Sequence, residues 1–341
     1  MQQSNAWLWL FGAAAVVIIL AGLRSISHIV TPFLLAAFLA IICIPPMTWM
    51  RQRGLPTVVA PLVLFVAVGI SFFLLFMAIR NAVQELAMQL PVYQERLGAF
   101  ISNMQQLAEE RGVPQELIPQ EVMINTSTIT EMARMLGKGV GQFTTYLFFV
   151  LLALMFILLE ARTFPAKLKA AFPQKRRAQV RMRRFLRSVN RYLAVKTTAS
   201  IITGLFVGVG LTILEVDFAV LWGILAGLLN FVPTIGSVIS AVPAVLIALL
   251  GAGPGDAVLV VIVYLIPNII IGSILEPRFM GQTLGLSPVV VLISLLVWGW
   301  VFGPVGMLLS ILLTMIVKLG LESSSETQWL GILLSDKAKR R

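Results

Sequence analysis

Asn230, Thr234, Ser237 and Ser240 are the residues whose types and spacing could do chemistry deep in an apolar setting. Thr234, Ser237 and Ser240 fall at i, i+3 and i+6, so a helix opening after Pro233 would carry three hydroxyls on one face. Asn230 stands just before that proline, where its carboxamide can cover backbone groups freed by a break. Pro233 and Gly236 lie in the same stretch, where the run can bend or break. Hydroxyls and amides hold a small polar solute, neutral or singly charged, weakly enough to release it, whereas full charges at membrane depth are costly. Such a set suits binding and release rather than bond making. The same hydroxyls can also bond their own helix or a neighbour, and spacing alone does not separate the two roles.

Lys196, Ser200 and Thr203 form a second polar stripe at the start of the preceding apolar segment, Thr197–Leu214. Lys196 can run out to the interface on its long stem or touch a solute. Glu160, Glu276 and Arg278 are the ionisable groups nearest the interrupted segments, so they are the candidates for coupling transport to protons. No metal or cofactor site is expected: His28 is the one histidine and Cys43 the one cysteine. Enzyme readings fail on their second residue. Gly253-Pro254-Gly255-Asp256 matches the GxGD of intramembrane aspartyl proteases, but the spans hold no other Asp to complete a dyad. Gly236-Ser237 lacks a nearby histidine, and no Walker-type phosphate loop exists.

The elements that must position these residues follow from composition. Hydrophobic residues are 58% and charged residues 12% of the chain, and mean hydropathy is +0.93, which is the profile of an all-α polytopic membrane protein. Two uncharged runs, Phe218–Gly255 and Phe279–Val317, are far longer than the roughly 20 residues a straight crossing needs. Each must break, bend or double back, and each carries Gly and Pro in mid-run, at Pro233 to Pro243 and at Gly303-Pro304. Paired interruptions of this kind are the strongest sequence pointer to a transport site.

In chain order, spans 1–3 occupy residues 1–80, with crossings expected at Ala6–Leu23, from His28 to Pro45-Pro46, and at Pro56–Ile79. No basic stretch precedes the first, which reads as an uncleaved span. Residues 81–142 form a small helical extracytoplasmic domain. There Val83, Leu86, Leu90, Leu97, Ile101 and Met104 trace an amphipathic stripe, Pro91 predicts a bend, and Thr128 with Glu131 fits a capping box. Span 4 lies within 143–161. From 162 to 196 there are twelve basic residues and no acidic one, which places that segment in the cytoplasm as an interfacial helix or a docking surface. Residues 197–320 hold the core spans 5–8 with their broken helices, and 321–341 form a cytoplasmic tail. If both runs are broken crossings there are eight spans, with Asp256 inside and Glu276 outside. If both are re-entrant hairpins, those two loops swap sides.

Tyr192-Leu193 with Lys196-Thr197, Ile202-Thr203-Gly204, Asn230 to Ser237, Ile274 to Gly281, and Trp298-Gly299-Trp300 through Ser310 together resemble the autoinducer-2 exporter family, in its quorum-sensing branch. Leu90 to Tyr93 fits as well. The basic residues place both termini in the cytoplasm, and the segregated charge argues against a nucleic-acid partner. The resemblance implies eight spans, a bacterial inner-membrane location and a homo-oligomer, a pentamer. It also implies export of autoinducer-2 or a similar small polar solute by alternating access. Some relatives are similar to sodium/proton antiporters, and a non-transporting membrane scaffold is a third reading. Thr234 and Ser273 stand where the branch tends to have Asn, and Leu312 where it has Pro.

Overall fold

The computed structural model describes residues 3–110, 145–161, 163, 166–167, 170, 176–232, 235–280, 285–322 and 326–335, with helix throughout most of them and no strand among them. The helices are α1 (Gln3–Ser25), α2 (Ser27–Gln52), α3 (Val59–Glu110), α4 (Thr145–Glu160), α5 (Arg176–Ile213), α6 (Ala219–Leu229), α7 (Ile235–Gly251), α8 (Pro254–Pro267), a π-helix (Asn268–Leu275), α9 (Glu276–Met280), α10 (Pro288–Leu321) and α11 (Gln328–Leu333). Among the described residues, five stretches are long and apolar enough to cross a membrane: Ser27–Gln52, Val59–Leu86, Phe185–Ile213, Pro254–Leu275 and Pro288–Leu321. The chain is therefore an all-α polytopic membrane protein.

Three boundaries differ from the sequence expectation. α2 does not stop at Pro45-Pro46 but continues to Gln52. Proline removes a helical hydrogen bond, yet apolar helices tolerate it where the surroundings re-satisfy the backbone; just past the prolines the Thr48 hydroxyl donates to the Pro45 carbonyl at 2.7 Å. α3 runs through residue 80 and past Pro91 to Glu110, because the Gln, Glu, Arg, Leu and Met that end the apolar run are themselves strong helix formers. The basic stretch is likewise no separate interfacial helix from Arg176 onward: α5 opens there and continues into its apolar segment. Thr128 and Glu131 lie outside the described residues, as do the side chains of Val83, Leu90, Ile101 and Met104.

The chain divides into two compact units. The first comprises Met1–Gly69, Tyr146–Val195 and Phe279–Arg341. Its buried seam sets Ala36, Ala40 and Cys43 of α2 against Val150, Ala153, Leu154 and Leu158 of α4, where small residues allow close helix approach without a hydrophobic drive in lipid. α10 packs on α1 and α2, and the Arg24 guanidinium lies 4.4 Å over the Trp300 ring. α10 meets the length for a crossing only because two arms join across Gly303, whose backbone is not helical (φ 64, ψ −147). Trp298 Nε1 donates to Thr314 Oγ1 at 2.9 Å across 16 residues, a separation that would be about 24 Å in one continuous helix. The arms double back, and Leu312 is buried in the second arm.

The second unit comprises Ile70–Thr145 and Lys196–Arg278. Its core joins Val207 and Leu211 of α5, Leu221, Trp222 and Ala226 of α6, Ala244 and Ala248 of α7, and Val260 and Tyr264 of α8. Trp222 and Ala248 would lie more than about 35 Å apart along a continuous helix, so the first long run also turns back on itself. Both runs thus fold back on themselves as helical hairpins. The physical reason is local: each turn has a glycine where the chain must cross close to itself or leave helical backbone angles.

Candidate functional site

Glycine brings the site together. A Cβ on Gly223 would lie 2.7 Å from the Gly208 Cα, and one on Gly204 would lie 3.1 Å from the Gly227 Cα, so α5 and α6 approach backbone to backbone as the four-residue spacing suggests. That approach sets Asn230, at the end of α6, beside Ser200 of α5, and Asn230 Nδ2 donates to Ser200 Oγ at 3.1 Å. At the turn, a Cβ on Gly236 would collide with the Leu229 carbonyl. Only glycine lets the chain reverse this tightly.

The reversal carries Ser237 and Ser240 of α7 back toward α8. Asn268 Nδ2 donates to Ser237 Oγ at 3.3 Å, the Ser240 hydroxyl to the Ser237 carbonyl at 3.0 Å, and the Tyr264 hydroxyl to the Ser240 carbonyl at 3.0 Å. These groups enclose a small cavity lined by Thr203, Asn230, Ser237, Ser240, Tyr264 and Asn268, with Ala226 on its apolar side. Its volume is about 10 Å³, roughly the room for one water. No lining residue is charged. Two carboxamides, three aliphatic hydroxyls and a phenol offer both donors and acceptors, so the arrangement can exchange hydrogen bonds with an uncharged polar molecule.

Lys196 does not run out to solvent. It is 5% exposed, and its Nζ donates to both oxygens of Glu276 at 2.8 and 3.0 Å. Lys196, Ser200 and Thr203 are all buried and lie along one face of α5, so a polar file leads from the ion pair to the cavity. On the facing side, the π-helix joins the same two places, running from Asn268 at the cavity to the residue before Glu276. Wide π turns are rare and cluster at functional sites.

At the other end of this unit, the Tyr93 hydroxyl donates to the Asp217 carboxylate, and Trp222 Nε1 donates to the Asp217 carbonyl at 3.1 Å. Burial, and then the Asp217 carboxylate, push the Tyr93 phenol well above its usual range. Asp217 lies between two non-glycine residues with left-handed backbone, Glu215 (φ 55) and Phe218 (φ 61).

Of the residues singled out by spacing, Asn230, Ser237 and Ser240 line the cavity, Ser200 and Lys196 lie on the file behind it, and Gly236 shapes the turn. Pro233 and Thr234 lie outside the described residues. Glu160 belongs to the other unit, where it is exposed and paired with Lys167, and Arg278 is exposed. Neither lines the cavity. Sequence reasoning missed Tyr264 and Asn268. The available signal was Pro267-Asn268, the one carboxamide in the otherwise apolar stretch between Asp256 and Glu276.

The family model described as AI-2E family transporter matches residues 13–325. The chain is similar to the AI-2 transport protein TqsA of Escherichia coli, at 37% identity over 95% of this chain and 94% of TqsA. It is also similar to a Haemophilus influenzae protein, at 38% identity over 98% and 99% of the two chains. Escherichia coli YhhT is 35% identical over 94% and 92%. Polytopic helices, a chain reversal with polar lining, and matches along nearly the whole chain agree: the protein belongs to the AI-2E family of membrane transporters.

Proposed function

We propose that this protein exports a small uncharged polar solute, autoinducer-2 or a close chemical relative, across the bacterial inner membrane by alternating access. The observation that carries the reading is the cavity of amides and hydroxyls without a charged lining residue, joined to similarity with a protein named for AI-2 transport. The division of the chain into two compact units supplies bodies that alternating access can use. In this reading α1 to α5 and α8 cross the membrane, and the two reversing runs are re-entrant hairpins. The basic stretch and both termini are cytoplasmic, residues 81–142 are extracytoplasmic, and the assembly is a homo-oligomer, a pentamer. Pairing of Lys196, at the start of one crossing, with Glu276, at the end of another, supports this topology over eight spans. With the single cysteine replaced, a cysteine at Asp256 is then labelled from outside and one at Arg278 from inside; the reverse pattern restores eight spans.

A second reading, sodium/proton antiport, is favoured by one observation: a largely buried Lys–Glu pair on the polar file that leads to the cavity. Proteoliposomes separate the two. Labelled autoinducer-2 and sodium are each offered with and without a proton gradient. Saturable autoinducer-2 flux is expected; sodium–proton exchange without it supports the antiporter, and no flux of either supports a scaffold.

A further inference from the structure

Burying an ammonium and a carboxylate costs several kcal/mol per ion before their attraction returns it, so a buried ion pair is weak evidence for stability. The Lys196–Glu276 side chains are 7% and 12% exposed, and what their placement does is therefore the more informative question. Lys196 is two helical turns from Thr203, about 10 Å along the axis, with buried Ser200 between them. Glu276 follows directly on the π-helix that begins at Asn268. The pair thus ties together the two segments that flank the polar file, at the end away from the cavity. Between pair and cavity, the Asn230–Ser200 bond is the next crossing contact.

We propose that the Lys196–Glu276 ion pair is the gate at this end of the polar file, and that the cavity communicates with water on that side when the two side chains part. The inference rests on the reading of the cavity as the transport site and adds to it the pair of residues that regulates access. Lys196 and Glu276 act as positioning residues: they hold α5 and the π-helix together and leave solute contact to the amides and hydroxyls.

Access can be read without any solute. In a Cys43→Ala background, Thr203→Cys places one thiol in the cavity lining, and its rate of reaction with a small maleimide is measured in purified protein. Glu276→Gln and Lys196→Met are expected to raise the rate about tenfold, the scale of one lost hydrogen bond between charged groups. A single neutralisation strands a buried charge and can compromise folding, so Lys196→Gln/Glu276→Gln is made as well; it strands none and should react as fast as the singles. The exchanged pair Lys196→Glu/Glu276→Lys should return the rate to the parent value, which a general loss of packing would not do. Parental rates in the doubly neutral protein, or fast reaction in the exchanged pair, overturn the gate. Autoinducer-2 should slow the labelling; if it slows none of the variants, the reading of the cavity as its site fails while the gate result stands.

Discussion

Two hairpins interrupt this protein, and their difference shows what makes a break into a site. Residues 219–251 reverse at Leu229 to Gly236, and their turn faces hydroxyls and carboxamides drawn from α5, α7 and the π-helix. Residues 288–321 reverse at Gly303, and the arms close on rings and chain: Trp298 stacks on Phe302 with centroids 5.9 Å apart, and its N–H goes to Thr314. Ser294 and Ser310 in that second hairpin turn inward to carbonyls of their own arms, Val291 and Met307. Among the described residues, the first hairpin alone shows polar side chains from several elements facing one space. Gly and Pro in an apolar run therefore announce a reversal, while the neighbours of the turn decide whether it can bind anything.

The largest effects should come from the turns themselves. Gly236→Ala drives a methyl into the Leu229 carbonyl, and Gly303→Ala places a side chain where backbone angles are open essentially to glycine alone, at about 1–3 kcal/mol or more. Both should lower thermal stability and folded yield alike, as read by detergent melting curves. An unchanged melting curve for either would contradict the tight reversal at that glycine.

Next in size come the changes that should separate the hairpins. Asn230→Leu and Asn268→Leu each remove cavity hydrogen bonds, so flux per folded molecule should fall about tenfold, with melting shifted little. Thr314→Val should do the opposite, lowering stability by about 1 kcal/mol and leaving flux per folded molecule at the parental value. If Thr314→Val abolishes flux while Asn268→Leu spares it, the two hairpins have been assigned the wrong way round.

The smallest effect concerns Tyr93. Its pKa is raised in the folded chain, so its contribution to stability is complete below its ordinary value near 10.0 and is lost as pH climbs beyond that. Melting temperature should therefore fall above about pH 10 more steeply in the parent than in Tyr93→Phe. Equal alkaline slopes would remove the Tyr93–Asp217 contact from the account.

Much of this was legible from residue types. The long uncharged runs, their Gly and Pro punctuation, and the hydroxyl spacing at Ser237 and Ser240 reappear as geometry. What the sequence left open was the partner of each polar group. Lys196 and Glu276 are separated by 80 residues, and nothing in either neighbourhood names the other. Asn268 went unread because its use depends on a π turn, for which residue type carries little signal. Helix ends misled for a related reason. A fall in hydropathy at residue 80 marks a change of surroundings, and the helix continues because Gln, Glu and Arg favour it as well as Leu does.

The central claim is that the first hairpin, and not the second, holds the solute. The direct measurement is initial autoinducer-2 flux in proteoliposomes for Asn268→Leu and Thr314→Val, each normalised to folded protein. The account predicts roughly a tenfold loss in the first and none in the second. Equal losses in both, or parental flux in Asn268→Leu, would contradict it.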